Sequence, residues 1–141
     1  GIRRIQAEDC NFGYRHSIFS DGKAVILGAK LRLQKGDPAQ IGAKMTELMK
    51  KRKASQPLEY PSAGSTFKRP EGYFAGTLIQ QTGLKGLTVG GAQVSEKHAG
   101  FIINRGGATC QDVLSLIRQV QDKVMQAQGV FLEPEVRIIE S

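Results

Sequence analysis

The sequence predicts an α+β fold, and three observations carry that expectation. Two segments place apolar residues at helical spacing, several shorter ones are strand-like, and the two kinds do not alternate regularly along the chain. A strict strand–helix alternation would instead indicate a parallel sheet with crossover helices.

Taken in order, residues 23–34 (KAVILGAKLRLQ) read as a strand, with Leu31 and Leu33 alternating with Lys30 and Arg32. Gly36-Asp37-Pro38 then punctuates the chain, and Asp37 can cap a helix that has Pro38 at its first position. Ile41, Met45, Leu48 and Met49 give that helix one apolar face, and it should end near Ala54, before Gln56-Pro57. Residues 55–72 hold three of the five prolines and read as an irregular loop. A short helix is expected from Tyr73 to Gln81 with Gly83 as its stop, and two strands near Leu87–Val94 and Gly100–Asn104. Arg105-Gly106-Gly107 is a turn. Thr109 and Asp112 form a near capping box for a helix with Val113, Ile117, Val120, Val124 and Ala127 on one face, closed by Gly129. A last strand is expected over Val130–Ile139, at an edge or irregular near Pro134, which has no N–H to donate.

Composition removes several classes. The 17 glycines show no three-residue period, which excludes a collagen-like chain, and 40% apolar with 23% charged residues is not a disorder signature. No apolar run approaches the roughly 18 residues of a membrane span, and GIRRIQAEDC lacks a signal peptide's apolar stretch. Cys10 and Cys110 belong to no CxxC pair, so no zinc site or disulfide scaffold is expected. A cytoplasmic location follows as the expectation, with no membrane partner. The net charge of +7 sits in residues 1–70, which carry 14 basic and 6 acidic side chains. Lys50-Lys51-Arg52-Lys53 could contact nucleic acid, but it closes a helical pattern, where cations complement the helix dipole. No nucleic-acid partner is therefore expected. The scattered Arg15, Lys68, Arg69, Lys97, Arg105 and Arg137 suit a small anionic ligand better.

Three places hold polar residues that a core would not request. In Gly13-Tyr14-Arg15-His16-Ser17, Arg15 is either a surface residue or a fork aimed at a carboxylate or phosphate. In Pro61-Ser62-Ala63-Gly64-Ser65-Thr66-Phe67-Lys68-Arg69-Pro70, Gly64 permits close backbone approach, Ser65 offers a hydroxyl, and Lys68 and Arg69 offer anion contacts. Neither a Walker loop nor GxSxG is present there. In Leu132-Glu133-Pro134-Glu135-Val136-Arg137, the charged residues form either a solvated edge or a pocket carboxylate, Glu135. His98 and His16 stand apart from other histidines, so no metal site is expected. Residue by residue, these features do not select a function.

In order, CNFGYRHSIF, YPSAGSTFKRP, FAGTLIQQTGLKG, VGGAQVSEKHAGFIIN and LEPEVRII resemble the UDP-N-acetylenolpyruvoylglucosamine reductase (MurB) family, from about Asp9 to Ile139. The resemblance implies reduction of the enolpyruvyl group of UDP-N-acetylglucosamine enolpyruvate in peptidoglycan precursor synthesis, with FAD as cofactor and NADPH as reductant. It implies catalytic positions at Arg15, Ser65 and Glu135. Substrate contacts are implied at Tyr14, Lys68, Arg69, Lys97, His98, Asn104 and Arg137, with Lys68 a candidate to support the Ser65 alkoxide. Arg69 stands where some members carry asparagine. The fold implied is the C-terminal substrate-binding domain of a flavin reductase, a mixed sheet packed with helices, over 37–141. Residues 1–36 are expected to be the tail of the FAD-binding domain. Nothing here resembles the family's glycine-rich pyrophosphate loop, so the missing N-terminal flavin domain is an expected partner and the chain alone is expected not to turn over. Two other readings stay open: a UDP-sugar-binding module without catalysis, and a basic nucleic-acid binder.

Overall fold

A computed structural model describes residues 1–139, so Glu140 and Ser141 fall outside the description. The chain divides into two compact units, 1–37 and 38–141.

In the first unit a short 3-10 turn, Ala7–Cys10, precedes a tight reversal in which Gly13 and His16 exchange backbone hydrogen bonds of 2.9 and 3.2 Å. The expected strand over 23–34 does not form: the segment pairs with no strand among the described residues. Val25, Leu27, Leu31 and Leu33 are all more than 70% exposed. Apolar alternation marks a segment able to pair, but a strand exists only against a partner's donors and acceptors.

The second unit begins with α1 (Pro38–Ser55), close to the expected span. It buries no residue, and Ile41, Met45, Leu48 and Met49 remain about half exposed. Then follow β1 (Ser62–Ser65), α2 (Ala75–Gln81), β2 (Thr88–Val89), β3 (Ala92–Val94), β4 (Phe101–Asn104) and α3 (Cys110–Gln128). The strands form one sheet in the order β1-β4-β3-β2, antiparallel throughout rather than mixed. For β2–β3 and β3–β4 the reason is connection length. Two residues join β2 to β3 and six join β3 to β4, too few for the crossover a parallel pair requires.

Three expectations need correction here. Residues 55–72 are not wholly irregular, because β1 forms within them on the edge of β4. The single strand expected over 87–94 is a hairpin turning at Gly90-Gly91. Val130–Ile139 is not a strand; it makes one isolated antiparallel bridge, Phe67 with Pro134.

β4 is buried along Phe101-Ile102-Ile103, as a short apolar run on an inner strand should be. Against β3 and α2 packs α3, whose Leu116, Ile117, Val120 and Val124 join Leu78, Ile79, Ala92, Val94 and Leu132 in the core. Ala127, expected on that face, is exposed. The α3 start follows its sequence: the Thr109 hydroxyl accepts from the Asp112 N–H at 3.1 Å, and Asp112 accepts from the Thr109 N–H at 2.9 Å. Bonds from the Thr109 backbone, then its hydroxyl, then the Gly91 backbone hold the Asp112 carboxyl below its usual range. Because the folded value is depressed, this contribution is complete above the ordinary aspartate pKa and fades as pH falls through the lower folded value. Asp112→Asn should therefore melt earlier than the parent at neutral pH. The gap in melting temperature should close on acidification, as measured by circular dichroism across pH.

Candidate functional site

Arg15 lies in the first unit, at the tip of the Gly13–His16 reversal, with a φ of +56°. A non-glycine residue in the left-handed region is strained, and such strain concentrates at sites where a side chain must be aimed. Its guanidinium carbon lies 5.8 Å from the centre of the exposed Tyr14 ring.

Ser65 and Glu135 lie in the second unit, and local backbone geometry relates them. Ser62 pairs with Ile103 but Ser65 pairs with Phe101, so three steps along β1 match two along β4. The extra residue is a bulge, and Gly64 within it has a φ of +84° that a side chain would strain. The bulge sets the aim of Ser65, which is exposed. The next residue, Thr66, is buried; its hydroxyl accepts from the Ile102 N–H at 3.1 Å and its own N–H donates to the Gly100 carbonyl at 2.8 Å. The Thr66 carbonyl accepts from the Glu135 N–H at 2.8 Å, while the Lys68 N–H donates to the Glu133 carbonyl at 2.8 Å. Two motifs about seventy residues apart thus meet through two backbone bonds flanking the Phe67–Pro134 bridge. Glu135 is half-buried, with Oε2 shielded from solvent.

The other predicted residues divide by what they touch. Lys68 pairs with the Glu133 carboxylate. Arg69 donates from Nε to the Tyr73 carbonyl at 3.2 Å and stacks 4.0 Å above the Phe74 ring. Lys97 reaches Glu59 at 3.4 Å. His98 accepts on Nδ1 from the Gly100 N–H at 3.1 Å, with its ring edge against Phe101. The Asn104 side-chain oxygen accepts from the N–H groups of Gly106 and Ala108 at 2.8 and 3.2 Å. His98 and Asn104 therefore both shape turns. Arg137 is exposed two residues beyond Glu135.

Sequence reasoning missed the stack of Arg105 on Tyr60, 4.7 Å from guanidinium carbon to ring centre, beside the Asn104 N–H to Pro61 carbonyl bond. It also missed Phe74. No local signal joins Tyr60 to Arg105; the β1–β4 pairing does.

The described residues do not fit the FAD pyrophosphate at their one glycine-rich approach to a long helix. Ahead of α3 the Gly106 and Ala108 N–H groups are bonded to Asn104, and the Asp112 carboxylate closes the helix start. A diphosphate arriving there would meet a like charge instead of open donors. Among the described residues, no group of histidine, cysteine, aspartate and glutamate could hold a metal ion, and no helix is long and apolar enough to cross a membrane.

Comparison with known proteins bears on the whole arrangement. Residues 56–139 match the family model described as UDP-N-acetylenolpyruvoylglucosamine reductase, C-terminal domain. The enzyme of that name from Exiguobacterium sibiricum is 56% identical over 138 residues, covering 98% of this chain and 45% of the relative. That from Pediococcus pentosaceus is 55% identical over 138 residues, covering 98% and 46%. A crystal structure of UDP-N-acetylenolpyruvylglucosamine reductase (MurB) from Thermus caldophilus superposes with a TM-score of 0.76 at 38% identity, covering 92% of this chain and 46% of that one. The chain spans about half the length of the curated relatives it matches. With a matched C-terminal domain and this degree of identity, the chain belongs to the UDP-N-acetylenolpyruvoylglucosamine reductase family.

Proposed function

We propose that this chain forms the substrate-binding part, and part of the catalytic centre, of a UDP-N-acetylmuramate dehydrogenase acting on UDP-N-acetylglucosamine enolpyruvate. The observation that carries the reading is the bond between the Glu135 N–H and the Thr66 carbonyl, which sets the Glu135 motif beside the bulge that aims Ser65. The break between units after Asp37 supports assigning residues 1–36 to the tail of a flavin domain and 37–141 to a substrate domain. FAD, reduced by NADPH, is assigned to a flavin domain outside the described residues.

Hydride addition to the enolpyruvyl double bond leaves negative charge on the carbon that bears the carboxylate. Arg15 pairs with that carboxylate and stabilises the developing enolate, a contribution typically worth several kcal/mol. Glu135 assists the same step. Ser65 gives its hydroxyl proton to the carbanionic carbon from the face opposite the hydride. A serine is a weak acid, so the step relies on close placement, which the Gly64 bulge supplies. Arg69 and Arg137 hold the diphosphate, and Tyr14, Lys68, Lys97, His98 and Asn104 are assigned as further substrate contacts.

Calorimetric titration of the chain with UDP-N-acetylglucosamine enolpyruvate tests the reading. Saturable binding is expected, with Arg69→Ala weakening it at least tenfold, as loss of a charge-assisted contact does. A folded chain that shows no binding would overturn the assignment of a self-sufficient substrate site.

A further inference from the structure

Building on that reading, we infer that Phe74 is a positioning residue that holds the Arg69 guanidinium in the orientation needed to grip a diphosphate. The geometry begins with a turn. The Tyr73 N–H donates to the Pro70 carbonyl at 3.1 Å, and Gly72, third of the four residues, has a φ of +74°, the glycine position of a type II turn. The turn sends the chain back toward Arg69, so that the Tyr73 carbonyl accepts from Nε at 3.2 Å and the Phe74 ring lies 4.0 Å from the guanidinium carbon. The two contacts restrict different motions: the hydrogen bond fixes one edge of the guanidinium, and the ring fixes its plane.

Phe74 is itself well anchored. Its carbonyl accepts from the Thr77 and Leu78 N–H groups at 3.0 and 3.1 Å, and α2 beyond it buries Ala75, Leu78 and Ile79. The residue nevertheless stays 59% exposed. A single exposed phenylalanine is ordinary. This one is distinguished by the cation seated on its face, beside the motif that also carries Ser65. Guanidinium donors point outward in the plane of the group, so a ring stacked on one face does not itself cover the edges used in forked contact with phosphate oxygens. A lysine ammonium could not be oriented in this way, having no plane to stack.

A double-mutant cycle read by calorimetry with UDP tests the inference, using the full chain and the variants Phe74→Leu, Phe74→Tyr, Arg69→Ala and the Phe74→Leu/Arg69→Ala pair. Phe74→Leu should raise the Kd about threefold to tenfold, the range for a cation–π contact shielded by ligand. Phe74→Tyr should stay within about twofold, since the stacking face is kept. In the Arg69→Ala background, Phe74→Leu should have no further effect, and its melting temperature alone should match the parent's. Equal losses in both backgrounds, or failure of Phe74→Tyr to preserve affinity, would overturn the inference. UDP binding indifferent to Arg69→Ala would sink this inference while leaving the substrate assignment standing. Absence of UDP binding to the parent chain would sink both.

Discussion

Ser65→Ala, in a reductase that contains these residues, should lower turnover about a hundredfold to ten-thousandfold, the usual contribution of a positioned general acid. The substitution removes one oxygen from an exposed position, so neither the core nor the β1–β4 pairing should change. Substrate affinity should stay within a few-fold, because the proposed diphosphate and carboxylate contacts are assigned to other side chains. The expected pattern is a fall in kcat with little change in KM, the mark of an interaction made in the transition state alone. Steady-state NADPH consumption at saturating substrate reads it directly. A variant that keeps the parent kcat would remove Ser65 from proton transfer and move the search for the acid to other groups near the bulge.

Gly91→Ala should be strongly destabilising. Gly91 lies in the β2–β3 turn, and a Cβ there would come within 2.4 Å of both the Ala108 nitrogen and the Gly106 carbonyl oxygen. Those are backbone atoms of the turn that starts α3, and the Gly91 carbonyl also accepts from the Arg105 N–H at 2.9 Å. Neither side can retreat without loosening the hairpin or the helix start. About 3 kcal/mol of destabilisation is expected, at the upper end for overpacking. That corresponds to a fall of about 10 °C in melting temperature for a domain of this size. Gly86 offers a contrast. The added Cβ would meet the Glu96 carboxylate tip, which can swing away, leaving only the strain of a φ of +78°. A Gly91→Ala protein that melts within 2 °C of the parent would show that the hairpin is not seated on α3 as described.

What the sequence made legible was what is locally encoded. The α3 helix has its apolar face, its Thr109–Asp112 box and its Gly129 terminator within one stretch, and these fix its limits to a residue or two. α1 was legible through Pro38 and its apolar spacing, even though that face buries nothing in this chain. The elements that escaped are those whose state is decided elsewhere. Ser62-Ala63-Gly64-Ser65 has no strand pattern of its own and becomes β1 because β4 offers an edge. KAVILGAKLRLQ has the pattern but finds no edge, and remains without a sheet partner among the described residues. The site follows the same division. The resemblance named Ser65 and Glu135, but their adjacency through Thr66 depends on a chain return that no spacing announces. Glu133 shows the limit most directly: alternation placed it with Glu135 and Arg137, while its ion pair is with Lys68, sixty-five residues away in sequence.

Pro134 gives that chain return its accuracy. In an antiparallel bridge of this kind the residues on either side, Glu133 and Glu135, exchange hydrogen bonds with the partner, and the central residue turns its own N–H away. A proline fits that central place without losing a bond. If the segment slid by one residue in either direction, Pro134 would face Thr66 or Lys68, where a donor or acceptor pairing is expected and the ring supplies no N–H. The side chains would also exchange faces, carrying the Glu135 carboxylate away from the side it now occupies. Pro134 therefore works as a keyed stop: it penalises a one-residue slip of the final segment in either direction and so favours the alignment that delivers Glu135 beside the Ser65 bulge.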